Sequence, residues 1–260
     1  MNILFTVCGR AGSKGIRNKN IKTFLNYPLP YYTFSVISQY IESNKTDHID
    51  IALNTDSKEL IDIANNNPFI DIHVIDRLDE LAGDFVAKIS VIQDTFNKMQ
   101  VKLNKKYDMV VDLDLTSPLR TPRDLQNLIE KQKELRPDVT FSVTSSRRNP
   151  FFNMVMKSDK GICQVIKSNY VSRQQAPTVF DMNASLYAYN PEFLSSGKDV
   201  LDGHSEIIEM LDTAVLDLDH ENDFVLMQVI ADYLFKNRTE FIDVYKYVNN
   251  SLELLDEERV

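Results

Sequence analysis

The sequence predicts an α/β fold built on a mostly parallel, doubly wound sheet, and three observations carry that prediction. Short apolar runs alternate with stretches of helical periodicity from residue 3 to about residue 144, the order that lays helices over both faces of a parallel sheet. The first apolar run stops at a glycine-rich turn. At 260 residues and 43% hydrophobic, the chain can bury one substantial core.

Each element follows from its local pattern. Ile3 to Cys8 is the first strand, closed by Gly9. Leu29 to Ile41 reads as a helix with Pro28 and Pro30 near its start. Ile49 to Asn54 is the second strand, Lys58 to Ala64 the second helix and Ile70 to Ile75 the third strand. Ile89, Ile92, Phe96, Met99 and Leu103 fall at helical spacing and form one buried stripe. Asp108 to Leu115 is a strand that ends in the turn Thr116-Ser117-Pro118. Thr121, Pro122 and Asp124 suit the N-cap, first position and first turn of the next helix. Val139 to Val143 is a further strand.

The rhythm breaks after residue 144. Residues 145–182 read as an inserted hairpin region turning at Ser158-Asp159-Lys160-Gly161, within a single domain of residues 1–260. Strands at Ala184 to Tyr189 and Ala214 to Leu218 follow, then helices at about 221–235 and 239–255.

Composition excludes several function classes. A net charge of −9 argues against nucleic-acid or anionic-membrane binding. No apolar run approaches the ~20 residues of a membrane span, and residues 1–30 lack a signal-peptide pattern. Two cysteines, Cys8 and Cys163, make no disulfide framework, so a cytoplasmic location is expected. The distribution of charge says more than its sum. Glu42 is the first acid, although an even spread of the 38 acidic residues would put about six before it. The same stretch carries Arg10, Lys14, Arg17, Lys19 and Lys22, the balance an anionic ligand requires.

The chemistry centres on Gly9-Arg10-Ala11-Gly12-Ser13-Lys14-Gly15, placed directly after the first strand. Three glycines in seven residues let main-chain N–H groups approach a phosphate, and Arg10, Lys14 and Lys19 supply the cations a triphosphate needs. The spacing is neither a Walker A loop nor a Rossmann fingerprint. Farther on, Asp217 and Asp219 alternate with Leu216 and Leu218, which puts both carboxylates on one face of the expected strand. Such a pair suits Mg²⁺, or is simply the polar side of a strand. The four histidines share no metal-ligand spacing, and Cys8 has no paired base that would make it a nucleophile.

The stretch from Cys8 to Asn20 resembles the opening signature of the acylneuraminate cytidylyltransferases, the CMP-sialic acid synthetase family. Further matches follow in family order: Asn54-Thr55-Asp56, Arg77 with Glu80-Leu81-Ala82-Gly83-Asp84, Thr116 to Thr121, Arg173-Gln174-Gln175, and Asp217-Leu218-Asp219. The related Kdo cytidylyltransferases lack the Ser-Lys-Gly…Lys-Asn signature. The resemblance implies a nucleotide-diphospho-sugar transferase-like fold and a reaction of CTP with a nonulosonic acid, giving the CMP-sugar and pyrophosphate. It implies that Arg10, Lys14 and Lys19 hold the phosphates within the cradle of Gly9, Ala11, Gly12 and Ser13. It places Asn20 and Arg77 on the nucleoside, and Asp217 and Asp219 on Mg²⁺. Arg173, Gln174, Gln175 and Asn183 match positions at the sugar site.

The departures are informative. Asp114 stands where the family has a nucleotide-contacting Gln, so it either makes a different base contact or serves the metal. With Asp112 it forms a second acidic pair at a strand's carboxyl end. Asp181-Met182-Asn183-Ala184 stands where the family often has Arg-Pro-Asn-Gly, which removes a cation from the sugar pocket and favours legionaminate or pseudaminate over N-acetylneuraminate. Gly15 tilts the choice to legionaminate. A sugar-phosphate nucleotidylyltransferase and a non-catalytic nucleotide sensor are the competing functions. The hairpin region carries Phe151, Phe152, Met154, Val155, Met156, Ile162, Val165 and Ile166, more apolar surface than a lone ribbon buries in itself. It packs either on its own domain or, as the resemblance implies, across a homodimer interface.

Overall fold

The computed structural model describes residues 1–12, 15–216 and 218–258, with the main chain alone at 215 and 253–258. The described residues form eleven strands and seven α-helices. In chain order they are β1 (Asn2–Cys8), β2 (Thr23–Phe24), β3 (Tyr27–Pro28), α1 (Leu29–Ser43), β4 (His48–Thr55), α2 (Lys58–Asn65) and β5 (His73–Asp76). Next come α3 (Lys88–Leu103), β6 (Met109–Leu113), α4 (Pro122–Leu135), β7 (Val139–Ser145), β8 (Val155–Ser158) and β9 (Gly161–Gln164). The chain continues through β10 (Phe180–Tyr189), α5 (Pro191–Ser195), β11 (Ser205–Glu209), α6 (Glu221–Asn237) and α7 (Thr239–Glu258).

Seven strands form one sheet in the order β11-β7-β10-β6-β1-β4-β5, with β10 antiparallel to both neighbours and every other pair parallel. Side chains alternate between the faces. Ile3, Phe5 and Val7 of β1 join the core beneath α1, α4, α6 and α7, while Leu4 joins the core beneath α3 and α5. Helices therefore cover both faces, as the alternating rhythm predicts. The parallel strands β1, β4 and β6 are adjacent and end together at Cys8, Thr55 and Leu113. That edge is where an open α/β sheet places its ligands. Among the described residues, no helix is long and apolar enough to cross a membrane.

The start of α4 matches its sequence signal. Thr121 and Asp124 form a reciprocal capping box, and Pro122 follows the cap. Two expectations shift. The strand drawn at Ile70 to Ile75 is only His73–Asp76. The strand drawn at Ala214 to Leu218 is absent from its described residues: Asp212–Val215 is a 3-10 turn, and Leu216 and Leu218 lie outside the sheet. The cause is a strand that periodicity missed, β11, which pairs with β7 and occupies the sheet edge. Leu218, 1% exposed, satisfies its apolar pattern by packing in the core. Asp219 therefore lies outside any strand, and Asp217 lies outside the described residues.

The hairpin is shorter than expected, four residues per strand, with Ser158 opposite Gly161. Gly161 holds φ at 103°, which favours glycine at this corner. Val155, Met156 and Ile162 remain exposed at 63%, 48% and 70%.

Candidate active site

A cleft of about 340 Å³ opens at the carboxyl ends of β1, β5 and β6. Of the residues singled out from sequence, Arg10, Lys19, Asn20, Arg77, Asp114 and Asp219 line it. One wall is built by Arg10, Gly15, Ile16, Lys19 and Asn20. Gly9 is packed so closely that a Cβ there would lie 2.6 Å from Leu60 and 2.8 Å from Leu115. Gly12 holds φ at 69° in open space. Asn20, buried, braces the turn by donating from its side-chain amide to the Arg10 carbonyl at 3.0 Å. Ser13, Lys14 and Asp217 lie outside the described residues.

This wall closes onto a segment some two hundred residues away. Lys19 Nζ donates to the Leu218 carbonyl at 2.8 Å. Gly15 lies so close that a Cβ would stand 2.0 Å from the Asp219 carbonyl oxygen. The Asp219 N–H donates in turn to Asp223 in the first turn of α6, at 3.2 Å. Two acidic residues complete the rim: Asp56 accepts from the Ala11 N–H at 2.8 Å, and Asp84 pairs with Arg10 at 2.6 Å. Arg77 is fixed by Asn54, whose side chain accepts from Nε at 2.9 Å and whose carbonyl accepts from Nη2 at 3.0 Å.

The opposite wall contains a group that sequence reasoning missed. Lys88, the first residue of α3, places its ammonium 2.7 Å from Asp112 and 2.7 Å from Asp114. Asp112 is fully buried and also accepts from the Thr6 hydroxyl at 2.8 Å. Burial would pull Lys88 down, but the two carboxylates hold it well above the usual lysine range. Burial would raise Asp114. The charge of Lys88 and the hydrogen bonds from Lys88 and Thr116 outweigh that and hold it well below the usual carboxylate range. Behind it, the fully buried Arg120 donates to the Ser185 carbonyl and the Thr33 hydroxyl, each at 2.7 Å, and to the Asp114 carbonyl. Burial, reinforced by Asp112, pushes the Cys8 thiol up, away from the thiolate a nucleophile requires.

Mg²⁺ takes one or two carboxylates beside phosphate oxygens and water. Exposed Asp219 in the cleft fits that role. Asp112 and Asp114 do not, because Lys88 already occupies the space between them. No group of three or more His, Cys, Asp or Glu that could hold a metal occurs among the described residues, so such an ion would need phosphate oxygens to complete its shell.

A second cavity of about 560 Å³ adjoins this wall, lined by Lys88, Met182, Ala184, Tyr187, Val200 and Leu201 among others. It sits beside the bulge in β10, where register shifts between Met182 and Tyr187. Ala184 holds φ at 51° in that bulge, and it stands where the family pattern has glycine. Asn183 is buried there and lines neither cavity. Its side-chain oxygen accepts from Ser142 at 2.6 Å and its amide nitrogen faces Met210. Arg173, Gln174 and Gln175 form an exposed 3-10 turn, tied back by a bond from Arg173 to the Ser146 carbonyl, and they line neither cavity.

Comparison with known proteins agrees with this geometry. Residues 4–231 match a family described as cytidylyltransferase. The chain is 31% identical to the post-translational flagellin modification protein B of Campylobacter coli, over 88% of this chain and 94% of that protein. It is 29% identical to the CMP-N,N'-diacetyllegionaminic acid synthase of Campylobacter jejuni, over the same 88% and 94% shares. A solved CMP:2-keto-3-deoxy-manno-octonic acid synthetase, complexed with CTP, superposes with a TM-score of 0.62 at 10% identity, covering 89% of this chain and 99% of its own. That likeness is one of fold.

Proposed function

The chain belongs to the cytidylyltransferase family and is a CTP-dependent nucleotidyltransferase, and we propose that its acceptor is a nonulosonic acid of the legionaminate type. The observation that carries this reading is the junction of two cavities: a polar cleft bearing Arg10, Lys19 and Arg77, and an apolar cavity large enough for a sugar acid. CTP occupies the first with its triphosphate along residues 9–20, and the acceptor occupies the second. The anomeric hydroxyl attacks the α-phosphorus, the new O–P bond forms as the bond to pyrophosphate breaks, and the hydroxyl's proton passes to pyrophosphate or solvent. Arg10 and Lys19, with Lys14, neutralise charge on the phosphates, so the protein's work is positioning and electrostatics.

Mg²⁺ held by Asp219, with Asp217 as its expected partner, would add charge neutralisation at the phosphates. A cytoplasmic reaction follows from the supply of CTP. The exposed apolar hairpin supports a homodimer, because such a ribbon is covered in a stable protein. Light scattering should give about twice the 30.0 kDa chain mass, and full activity at the monomer mass would refute the dimer.

Pyrophosphate release from CTP is the test of function. Turnover is expected with free nonulosonic acids, greatest for a diacetylated legionaminate, and absent with hexose 1-phosphates. The reverse pattern would replace this reading with a sugar-phosphate nucleotidylyltransferase.

A further inference from the structure

The nucleotide cleft and the apolar cavity meet at one side chain. Among the described residues lining them, Lys88 alone lines both. It is also the sole cation lining the apolar cavity, whose other charged residues are Asp199 and Asp202. An ammonium has three donors, and Asp112 and Asp114 are partners for two of them. The third is available to a ligand. Lys88 does not balance the two carboxylates alone, because the guanidinium of Arg120 acts on both. Two cations and two carboxylates balance before any ligand arrives.

We propose that Lys88 determines acceptor specificity by receiving the carboxylate of the sugar acid, an inference that rests on the nonulosonic acid reading above. In the cyclic form of a 2-keto sugar acid, the carboxylate and the anomeric hydroxyl are both substituents of the same carbon, C2. A carboxylate held at the junction therefore holds the nucleophilic hydroxyl at the junction too, facing the cleft that takes CTP. The remaining carbons lie against Tyr187, Val200 and Leu201. A neutral amide or ester would leave the third ammonium donor unmatched in a partly desolvated site, which is how a polar site rejects an analogue. Asp112 and Asp114 act here as positioning residues: they fix the ammonium at the border and touch no substrate themselves in this role.

The test compares a nonulosonic acid with its methyl ester as acceptor. Wild-type protein should prefer the free acid in kcat/KM by on the order of tenfold to a hundredfold. Lys88→Met should abolish that preference while binding CTP, by calorimetry, within a few-fold of wild type. Because Lys88→Met strands the buried Asp112 carboxylate, the Lys88→Met, Asp112→Asn double variant is made beside it and should behave alike. Lys88→Arg should keep the preference. Retention of the wild-type preference in a methionine variant that binds CTP would overturn the proposal. Loss of CTP binding in both methionine variants would assign Lys88 to the nucleotide and overturn it as well. Failure of the underlying reading looks different: wild-type protein would then use neither acid nor ester, but a sugar phosphate.

Discussion

The two walls of the cleft are built on opposite plans. Residues 9–20 are contiguous, and their shape comes from three glycines, an internal amide brace and a landing on Leu218 and Asp219. The facing wall brings Lys88 from the start of α3, Asp112 from β6, Asp114 and Arg120 from the loop after β6, and Thr33 from α1. The first wall is mostly main chain held in close approach. The second is a buried set of charges that hold one another. Breaking the first should therefore remove activity and leave the fold, while breaking the second should remove stability.

The sharpest way to test that contrast is Gly15→Ala. Its Cβ would lie 2.0 Å from the Asp219 carbonyl oxygen, a main-chain atom that cannot swing aside. The loop and the Asp219 segment must then separate, by an amount of the order that costs ~100-fold in rate. A fall of about 100-fold in kcat/KM is expected, with an unchanged circular dichroism spectrum and melting temperature. Wild-type turnover would show that the two segments need not touch.

The second test attacks the other wall. Arg120→Met removes a fully buried guanidinium from the Asp114 and Ser185 carbonyls and the Thr33 hydroxyl. The acceptors left behind, and the loss of a charge that balances Asp112 and Asp114, should destabilise the protein by about 3–5 kcal/mol. Urea denaturation measures it. A loss below about 1 kcal/mol would mean that water or a repacked neighbour replaces Arg120.

These plans also explain what the sequence could reveal. The glycine-rich wall was legible because its residues are neighbours in the chain, and spacing alone marks them. Arg10, Lys19, Asn20 and Arg77 do line the cleft. The alternating acids Asp112 and Asp114 were visible too, but their pattern left Asp114 open between a base contact and the metal. The missed signal was physical: an acid inside a five-residue, wholly buried strand demands a cation. Which cation is a matter of topology, since the chain must return from β5 at the sheet edge before Lys88, at the start of α3, can face β6. The strand expected at Ala214 to Leu218 went astray for a different reason: β11 is the neighbour of β7 at that end of the sheet, and Asp212–Val215 forms a 3-10 turn instead.

The smallest expected effect, and the one that separates charge from shape in the second wall, comes from Asp114→Asn. Asp114 is hydrogen-bonded to Thr116, and its carboxylate pairs with Lys88 at 2.7 Å, with 22% of the side chain exposed. Its folded pKa is held well below the usual value of about 3.9, although burial alone would raise it. A depressed carboxylate contributes stability that is fully present above its unfolded pKa and is lost as pH falls through its folded one. The contribution should thus be complete at pH 7 and shrink only below about pH 4. Lys88 runs the other way: raised in the folded state, it keeps its contribution until pH exceeds the ordinary lysine value of about 10.4. Asp114→Asn should therefore cost about 2 kcal/mol at pH 7, a cost that narrows steadily between about pH 4 and pH 2. Urea midpoints of both proteins across pH 7 to 2 give the difference directly. A difference that stays constant down to pH 2 would mean that Asp114 acts through shape and neutral hydrogen bonds, and the contrast between a steric wall and an electrostatic one would no longer hold.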